Sequence, residues 1–195
     1  MNLNNYQGLA LRTEKPLPTP LERLAHAALG FITESGEITT EVKRMSIYGK
    51  PLDAERRANI AEEIGDVLWY LAIAADVTEA GTFTHHVLSS MIPRHNRGTV
   101  ESIGASALGL ARAVGKFAAI VEDSLDGEPQ FMGAAQHQLV WIAQALVEIA
   151  AAIDIPLADI AGANIAKLQA RFPDAYSNEA AEARADKAGV DARNS

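Results

Sequence analysis

Two acidic motifs have the spacing that brings two carboxylates to the same side of a helix. The first is ESGE at residues 34–37, and the second is EIGD at residues 63–66. Residues three apart are neighbours on a helix, because successive residues turn by about 100°. Four converging acids repel one another without cations, and carboxylate oxygens suit Mg²⁺ or Mn²⁺ better than zinc. The sequence therefore predicts a metal site whose ligands are Glu34, Glu37, Glu63 and Asp66.

Apolar residues recur at helical spacing around each acidic motif. The apolar positions are Phe31, Ile38, Val42 and Met45 around the first motif, and Ile60, Ile64, Val67 and Leu71 around the second. If two helices bury these stripes against each other, their acids face one another across the edge of the interface. The alternative is that each pair lies on a solvated helix face, which is the common role of such spacing.

Each motif also has a glycine immediately before its second acid, at Gly36 and Gly65. Glycine in a helix interior costs about 1 kcal/mol relative to alanine. Its use twice in corresponding places indicates a close approach of another backbone or a need for space.

The remaining pattern predicts an all-α protein, a helical bundle. Candidate caps are Thr19 with Pro20 and Asp53, and the Ala- and Glu-rich tail after Tyr176 is typical of a solvated helix or a frayed end. The predicted helices are Tyr6–Leu11, Thr19 or Pro20 to about Met45, Ala54–Asp76, Thr84–Met91, Glu101–Ser124 and Pro129–Ile153.

Composition bounds the function. The 195 residues fit one domain, or one domain with a large insertion, and 48% of them are hydrophobic, which allows a substantial core. The net charge of −8 argues against non-specific nucleic-acid binding, and the absence of cysteine excludes disulfides and thiolate chemistry. No Walker-type phosphate loop is present. The N-terminus lacks a secretory pattern and no apolar run is long enough to span a bilayer, so we expect a soluble cytoplasmic protein without a membrane partner.

The segments AALGF at 27–31, ESGEI at 34–38 and EEIGDVLWYL at 62–71 resemble the all-α nucleoside triphosphate pyrophosphohydrolases of the MazG type. That family has an ExxE motif on one helix and an ExxD motif on the next. Its C-terminal signature is similar to Asn164, Lys167-Leu168, Arg171, Pro173 and Tyr176, and its N-terminal opening is similar to Tyr6-Gln7 with Ala10 and Thr13. The resemblance covers about residues 1–76 and 153–177.

The resemblance implies an Mg²⁺-dependent enzyme, with Mn²⁺ as an alternative ion, that converts a (d)NTP to a (d)NMP and pyrophosphate. Glu34, Glu37, Glu63 and Asp66 would hold the metal, and one of them, or Glu41 or Glu62, would act as the general base. Asn164, Lys167 and Arg171 would bind the nucleotide, since their spacing places them on one helical face. The alternatives are a non-catalytic helical-bundle interaction protein with a residual metal site, and a phosphoribosyl-ATP or dUTP hydrolase of the same fold.

Base contacts are less defined by the sequence. Trp69, Tyr70, Tyr48 and Trp141 could stack on a base, although an aromatic residue on an amphipathic helix more often belongs to the core. The five histidines show no metal-ligand spacing with a helical partner acid and receive no role.

The middle of the chain repeats the front in a degenerate form. ALG at 28–30, Gly36 and GKP at 49–51 correspond to ALG at 107–109, Gly115 and GEP at 127–129. On this register the four acids fall at Ala113, Lys116, near Trp141 and near Gln144, so the second copy could not hold metals. Chance similarity between Ala-rich hairpins is the alternative.

These segments predict a single domain over residues 1–177, followed by a polar tail at 178–195. The domain would comprise a catalytic hairpin at 20–76, an inserted degenerate hairpin at about 77–153 and a nucleotide-binding segment at 154–177. In shorter relatives the ExxD helix leads almost directly to a segment like 154–160, whereas about 75 residues intervene here. The resemblance implies a homodimer, and an inserted hairpin that replaces a subunit contact would give a pseudo-dimeric monomer instead.

Overall fold

The computed structural model describes residues 5–80, 100–125 and 132–183, and within these ranges it contains helices and no strand. This confirms the predicted all-α fold class. The helices are α1 (Tyr6–Leu11), α2 (Pro20–Tyr48), α3 (Ala54–Val77), α4 (Val100–Leu125), α5 (Met132–Ala152), α6 (Leu157–Arg171) and α7 (Asn178–Ala183).

Local sequence signals explain where the two acid-bearing helices begin and end. Thr19 accepts a hydrogen bond from the backbone N–H of Glu22 at the start of α2, and Asp53 accepts one from Arg56 at the start of α3. Both predicted caps are therefore confirmed. Helix α2 continues past Met45 to Tyr48, because it ends only where Gly49 adopts the left-handed conformation, with φ of 64°.

The other predicted helices agree with the structure where it describes them. The bounds of α1, α4 and α5 lie within a few residues of the prediction. The predicted helix at Thr84–Met91 and the first residues of the one at Pro129–Ile153 lie outside the described residues. Helix α7 has no buried residue, as expected for a solvated helix after Tyr176.

The core lies between α2 and its two neighbours, α3 and α4, while α5 packs on α4 and also contacts α3. Phe31 on α2 occupies the centre of this packing. Its ring meets Tyr70 of α3 at 6.4 Å and Phe117 of α4 at 5.3 Å between ring centroids. Since both contacts are edge-on and Phe31 and Phe117 are fully buried, these rings hold the three helices together.

Two helices from opposite parts of the sequence cover α3. Helices α1 and α6 both pack on α3, and α1 also contacts α6. Arg12, which follows α1, donates hydrogen bonds to the carbonyl oxygens of Pro173 and Asp174 at 2.8 and 2.6 Å. Helices α1 and α6 therefore pack together on α3, beside the acid-bearing hairpin of α2 and α3.

The α4–α5 pair corresponds to the inserted hairpin of the sequence analysis. Ala113, at the position of Glu34 on the proposed register, and Gln144, near the position of Asp66, are both buried. They belong to the packing of the bundle. That this pair is a degenerate copy of α2 and α3, and that the domain divides at the proposed residues, stay predictions.

The prediction that no apolar run is long enough to span a bilayer is wrong by length and composition. In the described part of the chain, residues Ser102–Leu125 pass this test, and 39% of the tested window is buried in the bundle. Segments Gly133–Ala152 and Leu157–Arg171 pass the same test only as a pair bent by 102°. Core helices of soluble proteins also pass this test, so the finding is weak evidence for a membrane protein.

Candidate metal and nucleotide site

Three of the four predicted metal ligands converge. Glu34 and Glu37 on α2 and Glu63 on α3 each offer a carboxylate oxygen, and these three oxygens lie within 4.8 Å of one another. We call these three residues the acidic cluster. An Mg²⁺ ion binds oxygen at about 2.0–2.1 Å, so its ligands lie at most roughly 4.2 Å apart, which small side-chain rotations would reach here. The all-oxygen donor set therefore fits a hard divalent cation.

The fourth predicted ligand, Asp66, lies beside the acidic cluster but makes different contacts. Lys167 of α6 donates hydrogen bonds to both of its carboxylate oxygens at 2.7 Å. Asn164 Nδ2 donates a third to Oδ1 at 2.9 Å. The structure thus brings together Asp66 and two of the predicted nucleotide-binding residues, in a contact between α3 and α6.

The electrostatics of the site are those of crowded carboxylates. Burial, together with the charges of Glu37, Asp66 and Glu34, raises the pKa of Glu63 to about 8. Burial also raises the pKa of Glu34, and it raises the pKa of Asp66 against the opposing effect of Lys167. With a pKa of about 8, Glu63 retains its proton at neutral pH without a cation, and a divalent ion would displace that proton.

A cavity of about 770 Å³ opens onto these acids, a size typical of small-molecule sites. Its lining combines carboxylates, cations and rings. The lining residues include Glu34, Glu37, Glu62, Glu63 and Asp66, the cations Lys167 and Arg171, and the rings of His26, Trp69, Tyr70, Phe172 and Tyr176. Anionic, cationic and aromatic groups in one cavity match the three parts of a metal-bound nucleotide.

Three of these rings, His26, Trp69 and Tyr70, form what we call the aromatic wall. His26 meets Trp69 and Tyr70 edge-on, with ring centroids 5.7 and 5.4 Å apart. Trp69 is fixed by hydrogen bonds from its Nε1 to the carbonyl oxygen of Ala10 at 3.1 Å and to Thr13 Oγ1 at 3.0 Å. The wall is therefore held by contacts with α1 and with the segment that follows it.

At two places a glycine allows a side chain from another helix to pack closely against its own helix. The ring of Tyr70 fills the space that a Cβ on Gly30 would occupy. A Cβ on Gly65 would lie 3.0 Å from Asn164 Cβ, which confirms the predicted need for space there, although the neighbour is a side chain and not another backbone. The same prediction is wrong for Gly36, where a Cβ would meet no described atom within 4 Å.

The model of the MazG nucleotide pyrophosphohydrolase domain matches residues 24–96. The Gene 37 protein of Mycobacterium phage L5 is 31% identical over 88 residues, which cover 43% of this chain and 76% of the phage protein. The chain belongs to the MazG nucleotide pyrophosphohydrolase family. No solved structure matches this MazG protein significantly.

The matched segment of the MazG chain contains the acidic cluster, Asp66 and the aromatic wall, whereas Asn164, Lys167 and Arg171 lie beyond it. The structure connects the two regions through the contact of α6 with α3. Of these three residues, Lys167 and Arg171 line the cavity, and Asn164 is buried behind them.

Some residues proposed from the sequence lie elsewhere in this MazG protein. Glu41 does not line the cavity, because its carboxylate is taken up by Arg44 and by Arg56, whose Nε lies 2.9 Å away. Glu62 does line it and accepts a hydrogen bond from Lys167 at 3.3 Å. Tyr48 is exposed and Trp141 is partly buried against the core, and neither lines the cavity, so only Trp69 and Tyr70 of the four candidate aromatics face it.

Sequence reasoning missed two residues of this MazG site, His26 and Tyr6. His26 precedes Glu34 by about two helical turns, and this spacing could have predicted that its side chain lies near the acids of α2. Burial lowers its pKa, so the imidazole in the aromatic wall is held neutral. Tyr6 is fully buried and donates a hydrogen bond to Asn164 Oδ1 at 2.8 Å, a long-range contact without a local sequence signal.

Proposed function

We propose that this MazG protein is a divalent-cation-dependent nucleoside triphosphate pyrophosphohydrolase, which converts a (d)NTP to a (d)NMP and pyrophosphate. The observation that carries the proposal is the convergence of Glu34, Glu37 and Glu63 beside the Asp66–Lys167 pair in one cavity. No nucleophilic side chain is needed for this reaction, because water can attack the phosphate directly.

The acidic cluster and Asp66 would hold Mg²⁺, with Mn²⁺ as a substitute. When bound, such an ion neutralises phosphate charge and lowers the pKa of a coordinated water. The chain's own contribution is to fix the carboxylates on two packed helices, so that little rearrangement is needed. One carboxylate of the cluster, or Glu62 at its edge, would take the proton of the attacking water.

The cations of α6 would bind the phosphates. Lys167 and Arg171 lie one turn apart and both line the cavity opposite the acids of α3. Lys167 is already held by Asp66 and Glu62, at 2.7 and 3.3 Å. A bound triphosphate would compete for this ammonium group, because phosphate oxygens are also strong acceptors of charged hydrogen bonds.

The aromatic wall would contact the base or the sugar. Trp69 and Tyr70 offer ring surfaces, and His26 offers a neutral imidazole, which can both donate and accept a hydrogen bond. A wall of this type stacks on any base, so selectivity would come from hydrogen bonds at its edge.

We further propose that the protein acts as a cytoplasmic homodimer. Ile32 of α2 and Leu108 of α4 are large apolar side chains that are 48% and 73% exposed, and a second copy would cover them. The domain would be organised as proposed from the sequence, with α2 and α3 catalytic and α6 binding the nucleotide.

The decisive experiment measures pyrophosphate release from a panel of NTPs and dNTPs with Mg²⁺. The panel includes dUTP and phosphoribosyl-ATP, which separate the related hydrolases of this fold. Wild type is compared with Glu37→Gln and Asp66→Asn, and Glu55→Gln is the control, because Glu55 is an exposed acid on α3 outside the cavity.

Release by wild type and Glu55→Gln, but by neither site variant, would establish the proposed reaction and rank its substrates. No release from any nucleotide by folded, Mn²⁺-binding protein would instead favour the non-catalytic interaction protein with a residual metal site.

A further inference from the structure

A buried tyrosine from α1 reaches the acidic site through one intermediate side chain. Tyr6 Oη lies 2.8 Å from Asn164 Oδ1 and 3.3 Å from the carbonyl oxygen of Gly65, and Tyr6 has no exposed surface. Asn164 in turn donates from Nδ2 to Asp66 Oδ1 at 2.9 Å. We infer that Tyr6 is a positioning residue that holds Asn164, and through it Asp66, in the orientation needed for cation binding. This inference rests on the proposed function of Asp66.

The chemistry of the amide makes this chain of hydrogen bonds directional. An asparagine side chain accepts only at oxygen and donates only at nitrogen. Here the oxygen accepts from Tyr6 while the nitrogen donates to Asp66, so both ends are used. The reversed orientation would place the amide oxygen against the Asp66 carboxylate, with two acceptors in contact and a hydrogen bond lost.

The hydrogen bond from Tyr6 is important because the Asn164 side chain that accepts it is buried. Asn164 is only 4% exposed, so water cannot readily replace Tyr6 as the donor to Oδ1. A buried acceptor that loses its donor is unfavourable, and the side chain would shift to find another. Asn164 packs tightly against Gly65 on the α3 side, because even a Cβ at Gly65 would lie only 3.0 Å from Asn164 Cβ. A displaced Asn164 therefore has to move relative to Asp66.

The same contacts indicate which oxygen of Asp66 is offered to a cation. Lys167 bonds to both oxygens, but Asn164 bonds only to Oδ1. Once Lys167 turns to a phosphate, Asn164 still holds Oδ1 and leaves Oδ2 free. Tyr6 would thus maintain one fixed carboxylate orientation throughout the reaction, although it touches neither metal nor substrate.

The test compares Tyr6→Phe with Gln7→Met in the full chain. Phenylalanine keeps the ring and removes only the hydroxyl. Gln7 is the matched control, because its Nε2 also joins α1 to α3, by donating a hydrogen bond to the carbonyl oxygen of Ala72 at 3.4 Å. Affinity for Mn²⁺ is measured by electron paramagnetic resonance on nucleotide-free protein, and stability is measured by thermal unfolding.

We expect Tyr6→Phe to weaken Mn²⁺ binding by about three- to tenfold, the equivalent of one hydrogen bond, while Gln7→Met binds like wild type. In an Asn164→Ala background, Tyr6→Phe should have no further effect on Mn²⁺ binding, because its action passes through that residue. The Mg²⁺ concentration for half-maximal turnover should rise by a similar factor in Tyr6→Phe.

Wild-type affinity in Tyr6→Phe, an equal loss in Gln7→Met, or full additivity with Asn164→Ala would each overturn the inference. Because Mn²⁺ binding needs no turnover, the two proposals fail separately. Absent pyrophosphate release with an intact Tyr6 effect contradicts only the enzymatic function, and turnover without that effect contradicts only the positioning role. A wild type that binds no Mn²⁺ contradicts both.

Discussion

Lys167 of α6 and Asp66 of α3 form a bidentate ion pair, in which the ammonium nitrogen lies 2.7 Å from each carboxylate oxygen. Asp66 is adjacent to the acidic cluster, so the ammonium group partly neutralises the same crowded carboxylates that a divalent ion would neutralise. If the proposed function is right, Lys167 and the metal would therefore compete for Asp66 until a triphosphate gave the lysine another partner.

Replacing Lys167 with methionine should separate metal binding from catalysis. We expect Lys167→Met to bind Mn²⁺ about tenfold more tightly without nucleotide, since a charged hydrogen-bond donor no longer occupies Asp66. Turnover should fall by about a hundredfold, because the substitution removes a cation that is proposed to stabilise the negative charge of the reacting triphosphate. Calorimetric Mn²⁺ titration and pyrophosphate release measure the two effects. Weaker Mn²⁺ binding by the variant would show that the pair is not a competitor.

The control for that variant is Lys43→Met. Lys43 is an exposed lysine on α2 that does not line the cavity. The Lys43→Met substitution removes the same charge from the same protein, so any long-range effect of net charge appears in both variants. Only an effect specific to Lys167 supports the competition with metal.

The raised pKa of Glu63 predicts how stability depends on pH without metal. The ordinary value is 4.5 and burial with neighbouring carboxylates raises it to about 8, so between these values the folded protein binds more protons than the unfolded chain. The stabilising contribution is fully present below pH 4.5 and is lost as pH rises through about 8. Melting temperatures from pH 5 to 9, recorded without and with saturating Mn²⁺, should show a decline that the ion largely removes.

Glu63→Gln checks the assignment of that decline. Glutamine cannot ionise, so the melting temperature of this variant should vary less over the same range, and Mn²⁺ should raise it less. Glu55→Gln, which lies outside the cavity on the same helix, should follow wild type. A wild-type melting temperature that rises from pH 5 to 8 without metal would contradict the predicted sign.

Local patterns predicted the framework of the site, and long-range contacts determined its details. The caps at Thr19 and Asp53 and the acids of α2 and α3 follow from spacing over a few residues, which a sequence shows directly. Glu41 shares the helical periodicity of Glu34 and Glu37, but Arg56 on the next helix takes its carboxylate. No periodicity within α2 records where that arginine lies.

The same limit applies to Gly30. Its role depends on the ring of Tyr70, which occupies the missing Cβ position from α3. We expect Gly30→Ala to destabilise the fold by about 1–3 kcal/mol, because the ring must shift out of a packed position. Gly36→Ala on the same helix is the matched control. It meets open space and should stabilise the protein by up to about 1 kcal/mol through helix propensity.

Chemical denaturation measures both free energies of unfolding. Because Tyr70 also belongs to the aromatic wall, Gly30→Ala should in addition raise the KM for nucleotide. Equal stabilities for the two alanine variants would contradict the close packing of Gly30 against Tyr70.

Glu41 and Glu37 lie about one helical turn apart on α2. We expect a Glu→Gln substitution to have opposite effects on stability and turnover at these two positions. Glu41 is buried and paired with Arg44 and Arg56, so Glu41→Gln should lower the free energy of unfolding by about 1–3 kcal/mol while kcat stays near wild type. Glu37 is exposed within the repelling acidic cluster, so Glu37→Gln should leave stability unchanged or higher and abolish turnover. Denaturant titration measures the stability of both variants, and pyrophosphate release measures their turnover. Loss of turnover in a stably folded Glu41→Gln variant would make Glu41 a candidate general base again.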